Sequence, residues 1–85
     1  MPVISRFLGI SIAMYYLDHE PPHFHVVAGG RRATVRLNDG AITGALPPRA
    51  TTHVLEWLAL HRDELEANWV RARRGLPLVA IAPLE

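Results

Sequence analysis

Between residues 9 and 16 the chain sets Ile10, Ile12, Met14 and Tyr16 against Ser11, Ala13 and Tyr15, the two-residue period of a half-buried strand. His23 to Ala28 reads as a second strand, closed by Gly29-Gly30, a two-residue hairpin signal. Residues 31–37 form a third, with Ala33, Val35 and Leu37 on one face and Arg32, Thr34 and Arg36 on the other. Asp39-Gly40 then turns the chain into a fourth strand over residues 41–46.

If both turns are two-residue loops, the register follows by counting. Across Gly29-Gly30, Phe24 lies opposite Val35, Val26 opposite Ala33, His25 opposite Thr34 and His23 opposite Arg36. Across Asp39-Gly40, Leu37 lies opposite Ile42 and Arg36 opposite Thr43. Opposed residues share a face, so Phe24, Val26, Ala33, Val35, Leu37 and Ile42 collect on one side. The other side receives His23, His25, Arg32, Thr34, Arg36 and Thr43. A bulge or a longer loop would break this pairing.

Pro47-Pro48 opens a helical half, where proline is tolerated in the first turn. Val54, Trp57, Leu58, His61, Leu65, Asn68, Trp69 and Ala72 fall in one stripe at a period of 3.6. An unbroken helix over residues 49–74 would be about 39 Å long and would overhang so small a domain. A kink near residues 61–63 is therefore expected, with Asp63 as the candidate cap of a second helix. Arg71, Arg73 and Arg74 suit the last turn, and Gly75 suits its end. Residues 76–84 are apolar enough to dock on the sheet or become an edge strand. The expected architecture is α+β, a single domain over residues 1–85. It comprises a four-stranded antiparallel β-meander followed by one long kinked helix or two helices packed on one sheet face, with an extended C-terminal tail.

Composition narrows the chemistry. The 85 residues are 49% hydrophobic, enough to bury roughly 60–65% of the unfolded surface in one core. The chain has no cysteine, which removes disulfides and thiolate metal sites and suits a cytoplasmic protein. No apolar run approaches the ~20 residues of a membrane span, and the short run after Phe7 lacks a signal-peptide cleavage pattern. All 9 basic residues are arginine, the better side chain for bidentate phosphate recognition, yet the net charge is only +1. Indiscriminate binding to nucleic acid is thus not expected, although a local patch is compatible with that balance.

The segment from Asp18 to Val26, Asp-His-Glu-Pro-Pro-His-Phe-His-Val, concentrates the candidate chemistry. His23 and His25 project from one strand face behind two prolines that hold the chain extended. With His19 reaching back from the loop, and with Asp18 and Glu20 beside it, the set suits Zn²⁺ or another divalent ion that favours imidazole. A second constellation needs no metal and no cofactor. His23 and His25 would exchange protons, Arg36, Arg32 and Thr34 would bind phosphate, and Tyr15 would assist if its strand pairs alongside. Whether His19 joins the other two histidines separates these readings. His53 and His61 on the helix, and Trp57 and Trp69 in its apolar stripe, read as core or boundary residues. No phosphate-binding glycine loop and no nucleophile elbow is present.

Four stretches carry a resemblance: Met1-Pro-Val-Ile-Ser-Arg-Phe-Leu-Gly-Ile, Met14-Tyr-Tyr-Leu-Asp-His-Glu-Pro-Pro-His-Phe-His-Val, Leu46-Pro-Pro-Arg-Ala, and the helical run from Val54 to Trp69. Over nearly its whole length the chain resembles a small bacterial family known as domain of unknown function 4160. It departs at Ala28-Gly29-Gly30-Arg31-Arg32, where relatives often carry an aromatic or acidic residue before the turn and a lysine after it. The resemblance implies a small partner protein encoded nearby, in a toxin-antitoxin pair or a two-protein regulatory module, and assigns no catalytic residue. The expectation is a toxin-antitoxin component acting on RNA. Its rival is a non-enzymatic module that binds a partner protein or DNA, with or without a His19/His23/His25 metal site. Homo-oligomers are left open by both.

Overall fold

The computed structural model describes residues 2–85. Five strands, β1 (Val3–Phe7), β2 (Ile10–Ala13), β3 (His23–Ala28), β4 (Arg31–Arg36) and β5 (Ile42–Gly44), precede one helix, α1 (Pro48–Arg73). The strands form a single sheet in chain order, with every neighbouring pair antiparallel. The α+β class and the meander stand as expected, but the strand count is five rather than four. The strand missed from the pattern is β1. A register shift between Val3 and Ser5 lets both Ile4 and Ser5 be buried, which erases the alternation that marks a strand. Its hairpin turn is Leu8-Gly9, both left-handed at φ 51° and 76°, and leucine is not a residue that signals such a turn.

The Gly29-Gly30 hairpin pairs as counted, including His23 with Arg36 and His25 with Thr34. The second hairpin does not. Its partners are Thr34 with Thr43 and Val35 with Ile42, two residues from the count, and the strands are shorter than the pattern suggested. The cause is Leu37, buried in the core and donating its N–H to the Pro22 carbonyl at 3.0 Å. Drawn inwards, it cannot pair across the ladder. The loop therefore widens to four residues, closed by Arg36 N–H on the Ala41 carbonyl at 2.9 Å. Because the slip is an even number, each side chain keeps its expected face. Gly44 is required there, since a Cβ would lie 2.7 Å from the Arg32 carbonyl oxygen.

One face of the sheet and the apolar stripe of α1 enclose the core, in which Phe24, Ile12, Val35, Val54, Trp57 and Leu65 are almost fully buried. Each such side chain contributes on the order of 1.5–3 kcal/mol through burial. Both tryptophans are buried, which removes them as platforms for base stacking. The helix bends at His61 (φ −123°, ψ 22°), and the 33 Å long axis of the molecule shows why a straight helix would not fit. Glu64, not Asp63, makes the side-chain contact at the bend, with its carboxylate 2.6 Å from His61 Nδ1.

The C-terminal residues dock rather than form a strand. Asn68 holds Val79 through both amide atoms, Trp57 Nε1–H donates to the Ala82 carbonyl, and Ile81 N–H donates to Ile4 on β1. Helix and tail thus lie on the same side of the sheet, and the opposite face is left to the loop between β2 and β3. Among the described residues, no helix is long and apolar enough to cross a membrane.

Candidate functional site

The β2–β3 loop is tied at both ends before it delivers its side chains. Leu17, left-handed at φ 55°, donates its N–H to the Ala72 carbonyl at the end of α1. Arg73 reaches back from the same helix end to the Asp18 carbonyl at 2.9 Å and lies 3.4 Å from the Glu20 carboxylate. The Glu20–Pro21 peptide is cis, and Pro22 receives the Leu37 N–H. The carboxylate of Asp18 is consequently held over the start of β3.

There, Asp18 Oδ2 lies 3.0 Å from His23 Nε2 and 3.0 Å from His25 Nε2. The other carboxylate oxygen accepts the His19 N–H at 2.8 Å. Burial pushes the Asp18 carboxyl up, but the His25 hydrogen bond, the His19 N–H and the charges available on the two imidazoles outweigh it. The net direction is down, so the group is a carboxylate at neutral pH. His23 Nδ1 lies 2.8 Å from the Pro21 carbonyl, which can only accept. That contact places a proton on Nδ1 and leaves Nε2 as a lone pair facing Asp18, unless the ring is an imidazolium.

The arrangement can therefore do one of two things. Protons on both Nε2 atoms can bond to the carboxylate, or a cation can replace them. Asp18, His23 and His25 offer ligand atoms that all lie within 4.8 Å of one another. The 3.0 Å separations are close to the ~3.3 Å edge of a tetrahedron with bonds of about 2 Å. An imidazole whose far nitrogen is fixed by a backbone carbonyl is also the usual outer support of a metal-binding histidine. The side chains of Asp18, His23 and His25 are 16%, 8% and 29% exposed, so the cluster is shielded yet reachable.

The structure brings His23, His25 and Tyr15 together, the Tyr15 ring standing edge-on to His25 at 4.4 Å. His19 stacks on His23 at 5.0 Å, but its side chain is 81% exposed and its Nδ1 turns to the Glu20 carbonyl. Asp18 takes the place in the cluster that His19 was expected to fill. A groove of about 380 Å³ opens from the cluster across the sheet, lined by His19, His23, His25, Thr34, Arg36 and Thr43 among others. Arg36 borders it, although its guanidinium is engaged by both carboxylate oxygens of Asp39. That ion pair holds the Asp39 carboxyl at about 2. Arg32 lies two rows further along the same face, opposite Val27.

The signal for Asp18 was present in the sequence as a carboxylate five residues before His23. Spacing alone could not choose it over His19, because the choice depends on the fold of the loop.

A family model described as Domain of unknown function (DUF4160) matches residues 9–70, and the chain belongs to that family. The match takes in β2 to β5, most of α1 and all three clustered residues. No curated protein and no solved structure matches the chain.

Proposed function

We propose that this family member is a metal-binding protein in which Asp18, His23 and His25 hold one divalent cation at the end of the open-face groove. The observation that carries this reading is the approach of two imidazole Nε2 atoms to a single carboxylate oxygen, each at 3.0 Å. Nitrogen and oxygen donors of this kind suit Zn²⁺ and its first-row neighbours. Three protein ligands leave coordination positions for water or substrate, the pattern of catalytic rather than structural zinc sites. A cation bound there supplies Lewis-acid activation of water or of a phosphoryl oxygen. The protein's own part is to hold the donors: the Pro21 carbonyl sets the His23 ring, and Arg73 sets the loop that carries Asp18.

Elemental analysis of protein purified without a histidine tag tests this. One divalent ion per chain is expected for the wild type, with none retained by an Asp18→Asn, His25→Ala variant. Wild-type protein without stoichiometric Zn, Mn, Ni or Fe, and unable to take up any of them, would sink the proposal.

The contact between Tyr15 and His25 favours a second reading, a metal-independent ribonuclease of the toxin-antitoxin type, restrained by a small partner protein. His23 and His25 are its proton-transfer groups, Tyr15 assists, and Arg36 binds phosphate by exchanging its Asp39 partner. Induced expression of the wild type and of a His23→Ala, His25→Ala variant, followed by growth and RNA integrity, separates the two readings. RNA cleavage that persists in chelator supports the second, whereas intact RNA and normal growth with both proteins removes it.

A further inference from the structure

Acidic and basic residues are distributed unequally among the elements, although the loops bring the Asp18 and Asp39 carboxylates to the open face. The five strands contain Arg6, Arg31, Arg32 and Arg36 and no aspartate or glutamate. Helix α1 balances Arg49, Arg62, Arg71 and Arg73 against Glu56, Asp63, Glu64 and Glu66. Register then decides which strand cations share a surface. Arg6 pairs with Ser11, Ser11 with Val27 and Val27 with Arg32, so these four form one row across β1 to β4 on the open face. The next row is Ala13, His25, Thr34 and Thr43, and the Tyr15 ring stands against its His25.

Arg36 is neutralised by Asp39, but Arg6 and Arg32 are exposed and make no ion pair or side-chain hydrogen bond among the described residues. Their backbones are three strand spacings apart, about 14 Å. Between these cations in their row lie Ser11 and Val27, and the neighbouring row brings the Thr34 hydroxyl and the aromatic pair Tyr15 and His25 alongside.

From this placement we infer that the open sheet face binds single-stranded RNA, with Arg6 and Arg32 on phosphates and Tyr15 and His25 as a stacking surface for a base. Charge complementarity identifies the occupant. Two exposed arginines without ion pairs, beside a half-buried aromatic pair, fit a flexible polyanion whose bases are free to stack, and a duplex offers no such bases. Side-chain hydroxyls both donate and accept, which matches the 2′-hydroxyl that distinguishes RNA from DNA. With a near-neutral total charge, attraction for a polyanion has to come from a local patch. The inference goes beyond the metal centre, which requires no RNA, and extends the phosphate site of the second reading, to which Arg32 was assigned, by adding Arg6 and a base-stacking surface.

Fluorescence anisotropy with a labelled twelve-residue oligouridine, at 50 and 200 mM salt, tests it on the full chain. Wild-type protein is expected to bind, and an Arg6→Glu, Arg32→Glu variant to bind ~10-fold or more weakly. Loss of two phosphate contacts also flattens the slope of log affinity against log salt by about 1.4. An Arg6→Lys, Arg32→Lys variant keeps that slope, which separates lost charge from lost folding. Metal content measured on the same charge-reversed protein stays at the wild-type level, so failure of the RNA surface and failure of the metal centre give different results. No wild-type binding at 50 mM salt would overturn the inference, as would an unchanged affinity after charge reversal. Equal or tighter binding of oligothymidine or of duplex DNA would overturn it too.

Discussion

Two polar clusters lie against α1, and they are satisfied in opposite ways. Asn68 is almost fully buried, and its amide donates to the Val79 carbonyl and accepts the Val79 N–H, at 2.8 and 2.9 Å. The nitrogen and the oxygen of the amide each have a backbone partner. Asp18, His23 and His25 instead direct two imidazole nitrogens at one carboxylate oxygen, at 3.0 Å each, while His23 Nδ1 is already used by Pro21. A polar group placed for stability closes its hydrogen bonds pairwise, because an unpaired buried group is costly. Donor atoms that converge on one oxygen can be satisfied by protons on both rings, but with His23 neutral and its proton on Nδ1 a lone pair faces Asp18, and that surplus is where a cation fits.

The comparison breaks most visibly if the two clusters are disabled separately. Asp18→Asn and His25→Ala should each weaken divalent-metal binding by ~100-fold or more, read by calorimetric titration, whereas Asn68→Ala should leave the affinity within about twofold. Equal losses in all three would erase the distinction. In thermal unfolding the order should invert. Asn68→Ala strands the Val79 backbone groups and should cost about 1–3 kcal/mol, or roughly 5–20 °C in Tm for a domain of this size. An Asn68→Ala protein as stable as the wild type would show that the tail contributes little.

Arg73→Ala sharpens the contrast, since it touches the loop backbone and none of the donor atoms. Metal affinity should fall about tenfold with a stability change below ~1 kcal/mol. No change in affinity would mean that the loop holds Asp18 without help from the helix end.

The smallest effect concerns Arg36 and Asp39, an exposed pair that closes its own loop. The folded Asp39 carboxyl titrates at about 2 against an ordinary 3.8, so its contribution is complete above the ordinary value and fades as pH falls through the folded one. The Tm difference between wild type and Asp39→Asn should therefore be full at pH 6 and close towards pH 2. A difference that does not change with pH would contradict that origin.

Much of this was legible in the chain because it depends on local rules. Gly29-Gly30 permits a two-residue turn, which fixes the pairing of β3 with β4 and brings His23 and His25 to one face. The helical stripe likewise matched the buried residues of α1 closely, with His61 displaced to the bend. What could not be read depended on distant contacts. Leu37 leaves its ladder because Pro22 and the core draw it in, and β1 is hidden because its bulge buries two consecutive residues. The choice of Asp18 over His19 is of the same kind. Arg73 and Ala72, more than fifty residues away, anchor the loop that turns the carboxylate inwards and leaves the imidazole of His19 in solvent.

Nitrogen-15 NMR of the five imidazoles, recorded before and after one equivalent of Zn²⁺, tests the convergence most directly. The expected result is a proton on His23 Nδ1 in both states and a large shift of the His23 and His25 Nε2 resonances on addition of metal, with His19, His53 and His61 unmoved. Shifts centred on His19 or on the helical histidines, or no shift in any ring, would contradict the account.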